Sequence, residues 1–363
     1  MLRFIKIIIV CLLIRINVAM TVAWNRRPFL SQSRSAHPRD VALRSSHHCT
    51  CTDSRLEQSD FLHSKDLEPS NRMELLPNPP KDPTLHQNWK LFEHEKCGLS
   101  QADRIIGGKD AALGAYPWIA RIGYISSKTP DQQPLFRCGA VLVNKFYIIT
   151  AAHCVTNLPN KLRVGVIRLG EHNINTDPDC EDGVCADPLQ DYTPTELIVH
   201  KDYGKPQFKN DISIIRLDRE VIFSSYIMPI CMIHGKLMTK SYVGEPSEVA
   251  GWGIYDIENP KPSIILQTIK LPIVENEECE IAFKQYAEIG PTQMCVGGQV
   301  GQDSCGGDSG GPLMKVETLE GPPRYYLLGV VSFGAKRCGA TTMPGVYTRI
   351  SDYMNWVMDN MHE

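Results

Sequence analysis

Short apolar runs separated by turn residues dominate the chain after Arg104. Four of them are LRVGVIRL (162–169), ELIVH (196–200), ISIIRL (212–217) and YLLGVVSF (326–333), with Gly, Pro and Asn between such runs. Short β-branched runs with frequent turn signals and few long helical periods predict an all-β sandwich or barrel. The part from residue 105 to residue 363 is long enough to bury a large core.

The C-terminal end has a different period, in the stretch SDYMNWVMDNM. Ser351 is the expected N-cap of a helix here, and Asp352 suits the positive N-terminus of that helix. The apolar residues at helical spacing are Tyr353, Trp356, Val357 and Met361. We expect this apolar face to pack against the core.

Residues 24–104 lack sustained periodicity. They are polar and rich in Ser, Arg, His and Pro, with LPNPPKDP at 76–83. This composition predicts a poorly ordered pro-segment. Many of the chain's histidines lie here, but their irregular spacing favours solvated surface over metal binding.

The first 23 residues have the layout of a signal peptide. Arg3 and Lys6 precede an apolar run from Ile7 to Ile14. A membrane anchor needs about 20 apolar residues, and Arg15 interrupts this run well before that length. The N-terminus therefore predicts a secreted, extracellular protein without a stable membrane anchor.

Charge and cysteine content narrow the class of protein further. The formal net charge of −3 gives no reason to expect nucleic acid or an anionic membrane as the main partner, so we expect a protein substrate. The 13 cysteines predict disulfides in an oxidising compartment. A zinc site would need close Cys or His pairs repeated at ligand spacing, whereas most of these cysteines stand far apart.

Three short motifs carry the candidate chemistry. They are TAAHC at 150–154, NDISIIRL at 210–217 and GDSGGP at 307–312. A serine hydroxyl is a poor nucleophile unless an imidazole takes its proton and a buried carboxylate orients that imidazole. Ser309, His153 and Asp211 would fill these roles. His153 alone could be a structural histidine, and Asp211 alone could be a turn residue. The three motifs together, each with its reactive residue, are highly specific for this chemistry.

The order His, Asp, Ser is that of chymotrypsin, and the chain from residue 105 to about residue 361 resembles the chymotrypsin-like (S1) serine proteases. The resemblance implies an all-β fold of two packed six-stranded β-barrels with a C-terminal helix, in a domain spanning 105–363. It places His153 and Asp211 on the first barrel and Ser309 on the second. It also implies an oxyanion hole made by the N–H groups of Gly307 and Ser309.

The resemblance also implies a trypsin-like specificity pocket. Asp303 matches the position at the base of the pocket, where a carboxylate selects Arg or Lys. Gly334 and Gly345 match the pocket walls, and Ser332 would contact the substrate backbone. Alternatively, Asp303 could be a surface acid in a glycine-rich loop, although its spacing from Ser309 argues against that.

The sequence Arg104-Ile105-Ile-Gly-Gly resembles the activation site of these enzymes. In them the new amino group, here that of Ile105, pairs with the carboxylate beside the nucleophile, here that of Asp308. Before cleavage that ion pair is absent, which implies an inactive zymogen. Because the bond to be cut follows Arg104, the implied partners are an activating trypsin-like protease, or the enzyme itself, together with protein inhibitors.

The pairing of the cysteines is implied by the same resemblance, because sequence spacing alone does not assign disulfides. The implied pairs are Cys97–Cys231, Cys138–Cys154, Cys180–Cys185, Cys279–Cys295 and Cys305–Cys338. The Cys180–Cys185 loop and the tethering Cys97 look like the protease half of arthropod clip-domain proteases. Only Cys49 and Cys51 precede Cys97 after the signal peptide, so we predict no intact six-cysteine clip domain.

The loop GEHNINTDPDCED at 170–182 resembles the family's calcium loop, with Glu171 and Glu181 as side-chain ligands. A solvated acidic loop already held by its disulfide explains the same residues. No cofactor is required for the implied chemistry, and the calcium ion of this loop would be structural.

The sequence thus predicts a serine endopeptidase that cuts proteins after Arg or Lys, within an extracellular cascade. A non-catalytic protease-like scaffold is the alternative from another class, and the retained Ser309, His153 and Asp211 weigh against it. Within the enzyme class, a digestive or venom protease remains open, because only the long tethered pro-segment favours regulation.

Overall fold

The computed structural model describes residues 82–101, 110–126, 128, 132–254, 261–300, 307–319, 321–335 and 341–363. All of these lie in the second of the two units into which the chain divides, residues 72–363. The predicted signal peptide and most of the predicted pro-segment fall outside them. Within the described ranges, no helix has the length and apolar character needed to cross a membrane.

The first sheet has seven antiparallel strands. They are β1 Ile119–Ser126, β2 Leu135–Leu142, β3 Tyr147–Thr150, β4 Leu162–Leu169, β7 Gln190–Tyr192, β8 Pro194–Val199 and β9 Ser213–Leu217. A separate hairpin consists of β5 Cys180–Glu181 and β6 Val184–Cys185. The spatial order is β7-β4-β1-β2-β3-β9-β8, and β8 comes close to β4, so the sheet curls into a barrel-like shape.

The second sheet is a closed barrel. Its strands are β10 Cys231–Met232, β11 Pro246–Gly251, β12 Gln267–Val274, β13 Gln293–Gly297, β14 Pro312–Glu317, β15 Arg324–Phe333 and β16 Pro344–Arg349. The order is β10-β15-β14-β11-β12-β13-β16, and an additional pairing of β15 with β16 joins six of these strands into a ring. Strand β10 pairs in parallel with β15, outside the ring. The predicted chymotrypsin-like fold is confirmed.

The apolar runs found in the sequence form the strands expected of them. LRVGVIRL is β4, and the other three runs lie largely within β8, β9 and β15. All four residues of β3 are buried, and Trp118, Tyr147 and Tyr347 are among the largest fully buried side chains. One hydrophobic cluster contains residues from both sheets, so the two barrels pack against each other through a shared core.

Two α-helices of the described residues accompany the sheets, α1 Asn276–Phe283 and α2 Met354–Asp359. Helix α2 has the predicted apolar face, with Val357 fully buried. The prediction that Ser351 caps this helix is wrong. Ser351 lies inside a 3-10 turn, Ile350–Asp352, because fully buried Ile350 holds the chain against the core and delays the α-helix until Met354.

Four of the implied disulfides are present in the described residues. They are Cys97–Cys231, Cys138–Cys154, Cys180–Cys185 and Cys279–Cys295. Cys305 and Cys338 lie outside the described residues.

The end of the predicted pro-segment has structure of its own. Residues 82–101 contain two 3-10 helices, Pro83–Leu85 and Gln87–Leu91, followed by the disulfide-bonded Cys97. The predicted cleavage site after Arg104 lies outside the described residues, between this segment and the first barrel.

Candidate active site

His153 and Asp211 meet because of how two strands pair. Strands β3 and β9 are antiparallel, with Thr150 opposite Ser213. The turn that follows β3 and the residue pair that precedes β9 therefore lie at the same end of the sheet. His153 stands in the 3-10 helix after β3, and its Nδ1 lies 2.8 Å from Asp211 Oδ2. The backbone N–H of His153 donates to Asp211 Oδ1 at 3.0 Å.

The Asp211 carboxylate is buried, and the second barrel holds it in place. Asp211 is 3% exposed. The hydroxyl of Ser332, on β15, donates to Asp211 Oδ2 at 2.5 Å, and that of Thr348, on β16, donates to the Asp211 carbonyl oxygen at 2.8 Å. Buried polar groups are costly unless hydrogen-bonded, so these donors allow a carboxylate to sit between the barrels.

The contact with Asp211 determines which nitrogen of His153 carries the proton. An ionised carboxylate only accepts hydrogen bonds, so Nδ1 of His153 is the donor to Asp211. The lone pair of neutral His153 is therefore on Nε2. That nitrogen is the one available to accept a proton from a nucleophile.

Ser309 lies in a tight loop beside the histidine turn. Its carbonyl oxygen accepts a hydrogen bond from Gly139 N–H at 2.8 Å. Gly139 follows Cys138, whose disulfide partner Cys154 follows His153, so the serine and histidine loops are held together. Within the described part of the chain, the Ser309 hydroxyl makes no hydrogen bond. Catalytic hydrogen bonds of this kind often tighten only when substrate binds.

Glycine is needed at Gly310 for this loop to pack. Gly310 has a φ of 79°, and a Cβ there would overlap Thr150 Oγ1 and the Gly139 carbonyl oxygen. Its N–H donates to the Val331 carbonyl oxygen at 2.9 Å, which ties the loop to β15 one residue before Ser332. The glycines of GDSGGP thus let the serine loop approach both barrels closely.

Asp308 faces a cavity of about 340 Å³ that also borders Gly307. Its Oδ1 accepts a hydrogen bond from Gly253 N–H at 2.8 Å. A Cβ on Gly251 or on Gly253 would overlap the Asp308 carboxylate, so a side chain at either position would require that carboxylate to move. The sequence motifs did not single out these two glycines, although GWG at 251–253 was a visible signal.

Arg121 lines the same cavity and was also missed, because an arginine within a strand is ordinarily assigned to the solvent face. Its guanidinium lies between two rings, 4.6 Å from the Phe136 centroid and 5.0 Å from that of Trp252. It pairs with Glu171 at 3.3 Å, and Glu171 pairs with Arg168 at 3.4 Å. Burial raises the pKa of the Glu171 carboxyl, and the two arginines act in the opposite direction.

Replacing Arg121 should destabilise the protein. Arg121→Met leaves the buried Glu171 carboxylate with Arg168 as its remaining cation, and breaking a buried ion pair costs about 3 kcal/mol. Urea unfolding would measure this loss. Arg163→Met, at an exposed position on β4, is the control and should change the free energy of unfolding by less than about 0.5 kcal/mol. Equal unfolding free energies for the two variants would contradict the assignment.

The two predicted calcium ligands, Glu171 and Glu181, already have protein partners in this structure. Glu171 already faces two guanidinium groups, and a Ca²⁺ ligand needs an oxygen-rich cage rather than neighbouring cations. Glu181 Oε2 accepts the Leu113 N–H at 2.7 Å. Other contacts hold the loop, since Asp179 Oδ2 accepts the N–H groups of His172 and Asn173. Calcium binding by this loop stays a prediction.

Of the predicted pocket residues, the structure describes Ser332, Gly334 and Gly345. A Cβ on Gly334 would lie 3.7 Å from the Gly345 Cα, so these two glycines face each other. The Ser332 side chain points to Asp211, and the contact of Ser332 with the substrate backbone stays a prediction. Asp303 lies outside the described residues.

An aromatic group next to these residues was not predicted. The ring centroids of Phe208 and Phe333 are 4.6 Å apart, and Phe283 meets Phe333 edge-on at 5.3 Å. Phe333 lies between Ser332 and Gly334 in sequence. No sequence signal connects the three phenylalanines, because their proximity depends on how the loop before Asp211 folds onto β15.

Two barrels with a histidine–aspartate pair between them, beside a serine in a glycine-rich loop, define a chymotrypsin-like serine endopeptidase. Comparison with known proteins gives the same class. The sequence model of the Trypsin family matches residues 105–357. The chain belongs to the trypsin family.

Its relatives include proteases of insects. It is 38% identical over 276 residues to CLIP domain-containing serine protease B4 of Anopheles gambiae, covering 75% of this chain and 74% of that protein. It is 35% identical to the Spaetzle-processing enzyme of Drosophila melanogaster, covering 80% and 74%. The crystal structure of the Drosophila Grass clip serine protease of the Toll pathway matches with a TM-score of 0.65 at 32% identity, covering 75% and 77%.

Proposed function

We propose that this endopeptidase is a secreted zymogen that cleaves proteins after Arg or Lys, within an extracellular cascade, once it has been cut after Arg104. The observation that carries the proposal is the buried Asp211 carboxylate, which binds the His153 ring and the Ser332 hydroxyl at the junction of the barrels. A buried carboxylate that orients a histidine next to a GDSGGP serine supports acyl-enzyme chemistry.

The proposed reaction follows from this geometry. Ser309 Oγ attacks the scissile carbonyl carbon while His153 Nε2 takes the hydroxyl proton, and Asp211 stabilises the imidazolium that forms. The N–H groups of Gly307 and Ser309 bind the oxyanion. His153 then gives its proton to the leaving amine, and water hydrolyses the acyl-enzyme by the same route in reverse. These steps require no cofactor.

Specificity and latency involve residues outside the described part of the chain. Asp303 would pair with the cation of a substrate Arg or Lys at the base of the pocket, and the facing Gly334 and Gly345 support an open entry. Cleavage after Arg104 would free the amino group of Ile105 to pair with Asp308. The cavity beside Asp308 supports a rearrangement at that position.

A regulatory role is supported by the relatives. The name of the Spaetzle-processing enzyme refers to a processing reaction, and the Grass protease is described as a protease of the Toll pathway. A bond that follows Arg104 requires a trypsin-like activator, so we place this chain downstream of another protease or of its own active form. Protein inhibitors that present an Arg or Lys would bind the same pocket.

Active-site titration before and after controlled cleavage tests the proposal. Arg-containing and Phe-containing peptide substrates should be compared on both forms. We expect a burst, with preference for Arg, only after cleavage at Arg104. Correct cleavage without any burst would overturn the enzyme assignment for this chain, and a burst with preference for Phe would overturn the role of Asp303.

Arg104→Gln should keep the chain latent. A trypsin-like activator cannot cut the substituted bond, and a missing oxyanion-hole donor alone costs about 10²–10³-fold in rate. Peptide hydrolysis after treatment with the activator should therefore stay below about 1% of the wild-type rate. Arg163→Gln, at an exposed position, is the control and should activate normally. Full activity of Arg104→Gln would place the activation site elsewhere.

A further inference from the structure

Residues 82–101, named the strap here, precede the predicted cleavage site and yet contact the protease part of the chain in several places. The Cys97–Cys231 disulfide is the covalent link between the two. The remaining contacts are non-covalent and involve helix α2, the residues around β10, and β15. They raise the question of what holds the strap once the chain is cut.

The first contact caps the C-terminal helix. The side-chain amide of Asn88 donates to the carbonyl oxygens of Met358 and Met361, both at 2.9 Å. The Met358 carbonyl also accepts the Met361 N–H, and Met361 lies just beyond the helix, so Asn88 links two carbonyls at the C-terminal end of α2. His86 Nε2 adds a contact of 3.0 Å to Asp359 Oδ1.

The second contact is apolar. The Trp89 ring meets Phe92 at 5.4 Å and His234 at 5.2 Å, both edge-on. Phe92 is 6% exposed and belongs to the main core cluster of the protease. The side-chain amide of Asn144 donates to the Leu91 carbonyl oxygen at 3.1 Å. Part of the strap therefore belongs to the hydrophobic core of the protease and does not lie on its surface.

The third contact surrounds Cys97. Gly98 N–H donates to the Pro229 carbonyl oxygen at 2.8 Å, and Tyr325 N–H donates to the Gly98 carbonyl oxygen at 3.0 Å. Arg324 donates to the Cys97 carbonyl oxygen at 2.8 Å. Gly98 has a φ of 66°, and a Cβ there would lie 2.5 Å from the Tyr325 carbonyl oxygen, so the close approach needs glycine.

We propose that the strap is a non-covalent light chain, which stays bound to the protease after cleavage at Arg104 even without the Cys97–Cys231 disulfide. Dissociation would expose Phe92, remove the Asn88 cap from α2 and break the hydrogen bonds of Gly98. The disulfide adds effective concentration to an interface that is already complete. The surface formed by α2, His234 and Arg324 is therefore a binding site for this segment.

The inference rests on the proposed cut after Arg104 but not on catalysis, because an added trypsin-like protease can make the cut. The test protein is the full chain with Cys97→Ala and Cys231→Ala. After cleavage, which mass spectrometry verifies, we expect the light chain to co-elute with the protease in native size-exclusion chromatography and to separate in SDS. Separation under native conditions would overturn the inference.

Two further substitutions in the same background identify the interface. Trp89→Ala together with Asn88→Ala should accelerate dissociation of the light chain about tenfold or more, since a packed tryptophan is a typical hot spot. Leu85→Ser is the matched control, because Leu85 is 88% exposed, and it should leave the dissociation rate unchanged. Equal rates for the two variants would show that the described contacts do not hold the strap.

A second measurement covers the case in which the protein without Cys97 and Cys231 does not fold. Hydrogen–deuterium exchange of the wild-type protein can be compared before and after cleavage. The amides of Trp89 and Phe92 are hydrogen-bonded within the strap and should keep their protection. A more than tenfold loss of protection after cleavage would mean that the disulfide alone retains the strap. The proposed catalytic function would be unaffected by that outcome, because titration measures it separately.

Discussion

Ser309→Ala should lower kcat for peptide hydrolysis on the order of 10⁶-fold in the cleaved enzyme, with little change in stability. The variant loses the nucleophile, and catalytic residues that act as a unit lose most of their effect together. The Ser309 carbonyl and the flanking glycines are unchanged, so the loop should keep its contact with Gly139. Peptide hydrolysis, active-site titration and thermal unfolding of the same sample measure all three effects.

Ser351→Ala is the matched control for this prediction. Ser351 lies in the 3-10 turn before α2, and its hydroxyl donates a hydrogen bond to the neighbouring Asp352. It should hydrolyse peptides at the wild-type rate. Full activity of Ser309→Ala would show that another residue is the nucleophile, whereas loss of both activity and folding would point to a structural role for the hydroxyl.

Asp211→Asn should lower kcat by about 10⁴-fold, the loss seen when this residue of a related triad is changed to Asn. The carboxylate now accepts hydrogen bonds from both His153 and Ser332. An amide that turns its NH₂ toward His153 Nδ1 stabilises the wrong tautomer, which leaves Nε2 protonated and unable to act as a base. Steady-state kinetics on the cleaved variant, with active-site titration, measure the change.

Asp187→Asn controls for the loss of one negative charge, because Asp187 is exposed and should leave kcat unchanged. Asp211→Asn should also raise KM far less than it lowers kcat, since Asp211 is buried behind His153 and would not be in contact with a bound substrate. A rise in KM with unchanged kcat would instead assign Asp211 to substrate binding.

Much of the fold could be predicted from local pattern. The run LRVGVIRL became β4 because β-branched residues at alternating positions suit a pleated, half-buried surface. GDSGGP indicated a tight loop because glycines permit close backbone approach, and Gly310 does lie where a side chain would overlap its neighbours. Such signals depend on residues next to one another in the chain.

Other features could not be predicted because they depend on residues far apart in sequence. The Ser351 cap was wrong because burial of Ile350 overrides a local capping preference. Arg121 was missed because its partners, Phe136, Trp252 and Glu171, come from separate elements. The composition of the pro-segment indicated disorder, yet residues 82–101 within it pack against the protease, because a few apolar residues such as Phe92 join the main hydrophobic cluster.

The sequence by itself determined the proposed chemistry of this protein, because the groups proposed to react are properties of single residues: a hydroxyl at Ser309, an imidazole at His153 and a carboxylate at Asp211. Tertiary structure alone decided which of their atoms meet. The 2.8 Å contact between His153 and Asp211 follows from the pairing of β3 with β9, and the burial of Asp211 follows from Ser332 and Thr348 on the other barrel. Distances across a closed sheet depend on the packing of the whole core, and no local run of residues contains that information.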